Sequence, residues 1–447
     1  MFISSRAKVQ ILVGDLVIIL VSFLSAYLVR LGGFYFSGVQ ISYYLISGCF
    51  LIPMIFYILD LYEPSGISLS QSFFARIIIA GASIFTWTGL SSYIFPSLKI
   101  GRGLSLIFSS LVSVLVLLWR MVFIDLIGKK LEPKKLLIIG DAERLRMKIE
   151  GIKKSEEYKI INVLNETEFK DLENREKENK AEANPGYSAI VIDSGSIQDE
   201  VTWEYLLRKK LEGKEILEFV EFYEKINGKS PVTLVNDRFL VYSRGFVLLH
   251  KDYIRKLKRI VDVGTGIILL VLTFPLMALI ALAIKLDSKG PVFYKQKRLG
   301  LNEKEFDLVK FRTMRANAES ETGAVWADEN DNRITRVGKI LRKTRLDELP
   351  QLINIFREEM SFVGPRPERP EFVKDLKQII PYYSLRHSVK PGLTGWAQVN
   401  YRYGSSIEET VEKLRYDLYY IKNMNILLDL WIIIKTIKVM LRLYGAR

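Results

Sequence analysis

Four apolar stretches, residues 10–29, 41–59, 73–95 and 103–121, occupy the first quarter of this 447-residue chain. Each has roughly the 20 residues that carry an α-helix across about 30 Å of hydrocarbon. With no water to bond there, the backbone must satisfy its own polar groups, and the spacing predicts four transmembrane helices. The first is too long for a signal-peptide core, carries Asp15 and lacks a small-residue cleavage site. Four spans return the chain to the side on which it started. Arg6 and Lys8 before the first span, and Arg120, Lys129, Lys130, Lys134 and Lys135 at the exit of the fourth, mark that side as cytoplasmic. Asp15 has no visible charged partner in the other spans, so a helix–helix hydrogen bond is expected of it, with a functional role as the alternative.

Residues 128–250 read as a soluble α/β module. Lys135–Ile139 and Ser188–Asp193 have the look of buried strands, Asp141–Lys154 and Glu200–Leu211 of helices, and Glu215–Phe219 of a third strand. Alternating βαβ units predict a small Rossmann-like sheet. The turn after Gly140 runs Asp141-Ala142-Glu143-Arg144, which is not a glycine fingerprint and would repel a pyrophosphate. A structural or regulatory module is therefore expected rather than a cofactor domain. The evenly mixed charges between Asn165 and Pro185 predict a solvated segment.

A fifth apolar run, residues 260–284, contains Pro275 and has Lys256, Lys258 and Arg259 on one flank and Lys285, Lys289, Lys295, Lys297 and Arg298 on the other. Proline removes a backbone donor and crowds the preceding turn, and both flanks favour the cytoplasmic side. A re-entrant element broken at Pro275 meets both facts, with an ordinary kinked span as the competitor. Residues 425–443 alternate Leu427, Leu428, Trp431, Ile432 and Ile434 with Lys435, Lys438 and Arg442, as an interfacial amphipathic helix would, with a core helix as the other reading.

Composition narrows the chemistry. The net charge is +14, which suits anionic lipid headgroups or polyanionic substrates, and the 49% hydrophobic content speaks against nucleic acid as the partner. One cysteine, Cys49, and two histidines, His250 and His387, exclude intramolecular disulfides and cysteine or histidine-rich metal sites. Any metal should be a hard cation on carboxylates and substrate phosphates. Asp347 and Glu348, followed by Pro350 and the helically spaced Leu349, Leu352, Ile353 and Phe356, form such a carboxylate pair. As neighbours they converge only in a turn or at a helix end, where acidic helix capping is the bland alternative. Arg366 between Pro365 and Pro367 offers a guanidinium with little left to order, suited to a phosphate. Lys310, Arg312 and Arg333 precede the pair and are further candidates for substrate phosphate.

Eight blocks in one order carry a resemblance: Lys258-Arg259-x-x-Asp262, Pro275, Gly290-Pro291-Val292-Phe293-Tyr294, Lys310-Phe311-Arg312-Thr313-Met314, Asp331-x-Arg333-x-Thr335, Leu346-Asp347-Glu348-Leu349-Pro350-Gln351, Gly364-Pro365-Arg366-Pro367 and Lys390-Pro391-Gly392-Leu393-Thr394-Gly395-Trp396. From about Lys258 to Leu443 the chain resembles the bacterial sugar transferases, the monotopic polyprenyl-phosphate glycosyl-1-phosphotransferases, in their large form. The resemblance implies a membrane α-helical bundle (1–127), a Rossmann-like α/β module (128–250) and a mainly α monotopic catalytic domain with a re-entrant membrane helix (251–447). It implies transfer of a sugar-1-phosphate from a UDP-sugar to polyprenyl phosphate, with UMP released, at the start of surface-polysaccharide assembly. It gives Asp347 the role of nucleophile, Glu348 that of Mg2+ ligand beside Asp347, and Arg366 the substrate phosphate. Lys390, Gly392 and Trp396 become candidates for the uridine nucleotide. The setting implied is the bacterial inner membrane with the catalytic domain on the cytoplasmic face, on anionic lipid; self-association through the added domains is a further expectation. Phe274 stands where serine is common before the hairpin proline, and Arg345 where a small polar residue is common. A non-catalytic scaffold sensing nucleotide sugars, and an oxidoreductase built on the α/β module, are the competing readings.

Overall fold

The computed structural model describes residues 5–33, 38–62, 71–128, 133–141, 145, 149, 158–171, 186–197, 199–232, 245, 252–315, 333–401 and 406–441. The chain divides into two compact units, Met1–Phe219 and Val220–Arg447. That division falls ahead of residue 250, where the sequence suggests the module ends.

The first unit opens with four apolar helices, α1 (Ser5–Leu31), α2 (Gly38–Ile58), α3 (Gln71–Ile94) and α4 (Arg102–Gly128). All four contain stretches long and apolar enough to cross a membrane. Helix α4 runs past the expected end of the fourth span, and Arg120 within it is fully buried. Its guanidinium grips Asp15 of α1 in a two-pronged ion pair, Nη1 to Oδ1 at 2.9 Å and Nη2 to Oδ2 at 2.8 Å. This corrects the expectation for both residues: Arg120 is the partner Asp15 was thought to lack, and it is no part of the exit charge. The Tyr62 ring lies 5.7 Å from the same guanidinium.

After the helices the chain forms a four-stranded parallel sheet in the order β2-β1-β3-β4, from β1 (Lys134–Ile139), β2 (Tyr158–Leu164), β3 (Ala189–Ile192) and β4 (Glu215–Glu218). β1 and β3 bury most or all of their residues, which is why both were visible as apolar runs. β2 was not foreseen: it is an edge strand buried only at its two ends, and its pairing slips between Leu136 and Leu137. Helix α5 (Glu200–Leu211), N-capped by Asp199, leads into β4. The expected helix 141–154 and the charged run 165–185 lie largely outside the described residues.

The second unit begins with α6 (Phe219–Asn227). It goes on to a 36-residue helix, α7 (Asp252–Asp287). The hydrogen-bonded helix passes through Pro275 without interruption, so the predicted break is corrected to a continuous helix. Proline deletes only one donor, and a long helix absorbs that by bending; Thr273 also donates its hydroxyl to Leu269 O at 2.7 Å. The middle of α7 presents Ile268, Val271, Leu272, Phe274 and Leu279 to the outside. Its two ends are each packed on one side as well. Near the start, Asp262 and Gly266 are buried, and near the finish Ile280 and Ile284 pack with Phe311 and Leu341.

The rest of the unit comprises the hairpin β5 (Phe293–Leu299) with β6 (Glu305–Phe311), helix α8 (Arg336–Thr344), short α9 (Leu352–Phe356), β7 (Ser361–Val363), α10 (Pro370–Ile379), β8 (Gly392–Thr394), α11 (Trp396–Asn400), α12 (Ile407–Asn423) and α13 (Ile426–Leu441). One core joins most of them, running from Val232 through Leu308, Ile355, Phe362, Tyr383 and Leu418 to Ile432, while α8 packs into the separate cluster of Leu341 and Phe311. α13 buries Asp429 and Ile432 and leaves Leu427, Leu430, Trp431 and Leu441 exposed, so it serves the core with one face and keeps an apolar face outward.

Candidate active site

The carboxylate pair owes its convergence to a tight turn. Helix α8 starts with Thr335, whose hydroxyl accepts from Gly338 N at 3.0 Å. It ends at Arg345, held in the left-handed region at φ 57°. The chain then makes a 3-10 turn, Leu346–Gln351, and enters α9. In a 3-10 turn residues three apart share a side. Leu346 and Leu349 pack together onto the Ile280, Ile284, Phe311 and Leu341 cluster, and the carboxylates between them point elsewhere. Both lie within the turn, and α9 has only five residues, so side chains rather than a helix end supply the positive field.

Glu348 takes most of that field. Its Oε1 accepts from Arg366 Nη2 at 2.7 Å and lies 3.5 Å from Lys310 Nζ. Burial alone would raise its pKa, yet the combined charge of Arg366, Lys310 and Arg345 brings it down to about 2. Asp347 moves the other way: burial raises it, the Glu348 charge adds to that, and Lys310, Arg366 and Arg342 oppose. Lys310 is pushed down by burial, with Glu348 offsetting part of the shift. The result is one carboxylate locked in an ion pair and a more basic one beside it.

Each cation is aimed by its backbone. Lys310 sits on β6 opposite Tyr294 of β5. Asn354 of α9 ties that strand to the turn, accepting from Val309 N at 3.0 Å and donating to Asp307 O at 2.7 Å. Arg366 follows β7, and here glycines decide the geometry. A Cβ on Gly392 would overlap Gly364 N, one on Gly364 would overlap Lys390 O, and one on Gly395 would overlap Gly364 O. Two main chains therefore pass at a separation that side chains forbid. Bonds from Gly364 N to Thr394 O and from Gly392 N to Pro365 O, both 2.9 Å, seal them.

The same strand is tied to α7. Lys258 Nζ donates to Val363 O at 3.1 Å and pairs with Asp429 Oδ2 at 2.6 Å. Asp262 accepts from Ser361 Oγ at 2.7 Å and Phe362 N at 3.0 Å, and Arg259 donates to Ile355 O and Phe356 O. These motif residues thus join α7 to the segments around the site.

Of the predicted site residues, Asp347, Glu348, Lys310 and Arg366 come together. Arg312 does not join them: its two terminal nitrogens hold Ser288 and Lys289 at the end of α7, at 2.7–3.0 Å, so its engagement is structural rather than with a phosphate. Arg333 accepts from Arg315 N through its carbonyl beside the bridge of Met314 to Ile334. Lys390 Nζ lies 3.4 Å from Glu358. Gly392 is accounted for by the backbone crossing. Trp396 donates its indole N–H to Gly228 O at 2.6 Å, stacks on Tyr419 and carries Lys435 4.9 Å from its ring, an occupation that needs no nucleotide. Asn354 had no motif to reveal it, and Arg342, whose charge bears on Asp347, was one of several basic residues in a run. Among the described residues no three His, Cys, Asp or Glu side chains converge on a metal site. The two adjacent carboxylates are nevertheless the hard oxygen donors that Mg2+ takes when substrate phosphates and water complete its shell.

Residues 253–443 match the family described as bacterial sugar transferase. The chain is 40% identical over 186 residues, 40% of its own length and 93% of the relative's, to an exopolysaccharide production protein of Rhizobium leguminosarum bv. phaseoli. This chain belongs to the bacterial sugar transferase family. Another relative within reach is the UDP-N-acetylgalactosamine-undecaprenyl-phosphate N-acetylgalactosaminephosphotransferase of Aeromonas hydrophila, 38% identical over 262 residues, 58% of this chain and 60% of that one. The UDP-glucose:undecaprenyl-phosphate glucose-1-phosphate transferase of Xanthomonas campestris pv. campestris is 43% identical over 187 residues, 41% of this chain and 39% of that one. The sugar transferase match contains the whole carboxylate and cation cluster and begins after α6.

Proposed function

We propose that the protein is a phosphoglycosyl transferase that moves a sugar-1-phosphate from a UDP-sugar to polyprenyl phosphate and so begins assembly of a surface polysaccharide. The observation that carries this reading is the cluster of Asp347, Glu348, Lys310 and Arg366, in which two acids share two cations. A carboxylate oxygen of Asp347 attacks the phosphorus that bears the sugar, the bond to the bridging oxygen breaks, and UMP leaves with that oxygen. An oxygen of polyprenyl phosphate then attacks the same phosphorus and displaces Asp347, which regains its carboxylate. Arg366 and Lys310 hold the phosphate oxygens and offset the meeting of anions. Bound Mg2+ would be held by Glu348 and Asp347 and would neutralise the diphosphate. Of the nucleotide candidates we keep Lys390, since Gly392 and Trp396 are engaged in packing.

Both ends of α7 rest on the catalytic unit, and its exposed apolar middle lies between them. This supports a bent helix that enters one leaflet and returns, because a crossing would part the two ends by the bilayer. The four spans and their basic flanks favour a bacterial inner membrane setting with the catalytic unit on the cytoplasmic side. The parallel sheet of the first unit is read as a Rossmann-like module.

The test uses the purified full chain with Mg2+, undecaprenyl phosphate and a panel of UDP-sugars, measuring UMP. One or a few donors should yield UMP, and Asp347→Asn should abolish it. No UMP from any donor, with folded protein in a suitable lipid, would remove the transferase reading.

A further inference from the structure

The segment that presents Arg366 lacks two amide donors, because residues 365 and 367 are prolines. It is held by its carbonyls. Gly392 N donates to Pro365 O at 2.9 Å and Leu299 N to Glu368 O at 3.0 Å. Between them, Arg386 Nη2 donates to Arg366 O at 3.0 Å and Arg298 Nη1 to Pro367 O at 3.1 Å. Four consecutive carbonyls are thus pinned, two of them by guanidinium groups.

Arg386 is the more deeply built of the two. It is 6% exposed. Its Nη1 donates to the Tyr383 hydroxyl at 2.7 Å, and its Nη2 is shared between Arg366 O and Asp417 Oδ2, the latter at 2.9 Å. Asp417, buried on α12, neutralises it, and Glu368 lies 3.8 Å from Nη1. Pro367 locks its own φ and confines Arg366 to extended backbone, so ψ of Arg366 is the rotation left to set the direction of its carbonyl. The bond to Arg366 O fixes that coordinate. A lysine could neutralise Asp417, but only a planar fork reaches the tyrosine, the carboxylate and the carbonyl together.

We propose that Arg386, with Asp417 as its counter-ion, is a positioning residue for the transfer reaction, orienting the peptide that aims Arg366 at Glu348 and the substrate phosphate. This rests on the reading of Arg366 as the phosphate-holding residue. A displacement of about 1 Å in such a group lowers turnover by about 100-fold.

The experiment is a double-mutant cycle on the full chain in lipid nanodiscs, with the UDP-sugar that gives turnover in the panel. Arg386→Lys should lower kcat/KM by about 10- to 100-fold. In an Arg366→Lys background the same change should cause less than about a twofold further loss, since the residue it acts through is already gone. A loss that stays as large in that background would overturn the proposal and leave Arg386 a purely structural residue. An Arg366→Lys enzyme as active as the parent would overturn the reading of Arg366 itself, and the proposal with it. Tyr383→Phe, which deletes one hydroxyl, serves if Arg386→Lys does not fold. It should give a smaller loss, again absent behind Arg366→Lys; a loss that persists there would contradict the proposal.

Discussion

Glu224 of α6 lies ahead of the stretch that matches the family, yet its carboxylate is 2.7 Å from Lys422 of α12, with both side chains about 95% buried. Ser230 donates to the other oxygen of Glu224. Replacing Glu224 by leucine leaves the Lys422 ammonium buried without its counter-charge. Breaking a pair of this kind by removing one partner costs about 3–5 kcal/mol. For a unit of this size each kcal/mol shifts the midpoint by about 2–4 °C, which predicts a fall of about 6–20 °C. Hydrogen exchange of peptides covering α12, followed along a temperature ramp in nanodiscs, reads the catalytic unit by itself. Glu224→Leu combined with Lys422→Met removes both charges and should recover most of the loss. A single variant that falls by less than about 2 °C, or a double variant no better than the single, would refute the reasoning. The same contacts predict that a chain starting near Lys251 is destabilised, for it also loses the Gly228 carbonyl that anchors Trp396.

Three further outcomes are expected. Gly392→Ala drives a methyl into Gly364 N and should lower UMP formation by about 100-fold through displacement of Arg366, read by steady-state kinetics. His387 is held neutral, brought from 6.5 down to about 4 first by burial and then by the Arg386 charge. The unfolded chain therefore gains its proton first, and stability falls by up to about 3 kcal/mol as pH drops from 6.5 to 4; His387→Gln should flatten that part of the pH–stability curve. In the helical bundle, Asp15→Leu or Arg120→Met alone should destabilise by about 3–5 kcal/mol, and the two together by much less, as measured by unfolding in detergent.

The sequence disclosed those features whose chemistry is local. Asp347 and Glu348 are neighbours, Arg366 sits between two prolines, and the apolar runs of α1 to α4 and of β1 and β3 are contiguous, so each was readable without tertiary information. What was missed depends on distant partners. Arg312 looks like Arg366 in a string of letters, and only the carbonyls at the end of α7 reveal that it closes a helix. Asp15 and Arg120 are 105 residues apart, and no local pattern links the two. β2 buries too little to print a hydrophobic pattern. Pro275 invited a break because proline is a strong local signal, whereas a helix seated at both ends tolerates the loss of one bond. The attachment of α6 to the catalytic unit hangs on Glu224 and Gly228, which no motif distinguishes.

Whether Asp347 is the nucleophile of a two-step transfer is decided by a single turnover without acceptor. Full-length protein is mixed with Mg2+ and its UDP-sugar, with no polyprenyl phosphate present, and UMP is counted while the peptide containing Asp347 is weighed by mass spectrometry. A burst of about one UMP per enzyme is expected, with a sugar-phosphate mass on that peptide that disappears when the lipid phosphate is added. UMP that forms only when the acceptor is present, with the peptide unmodified throughout, would contradict it.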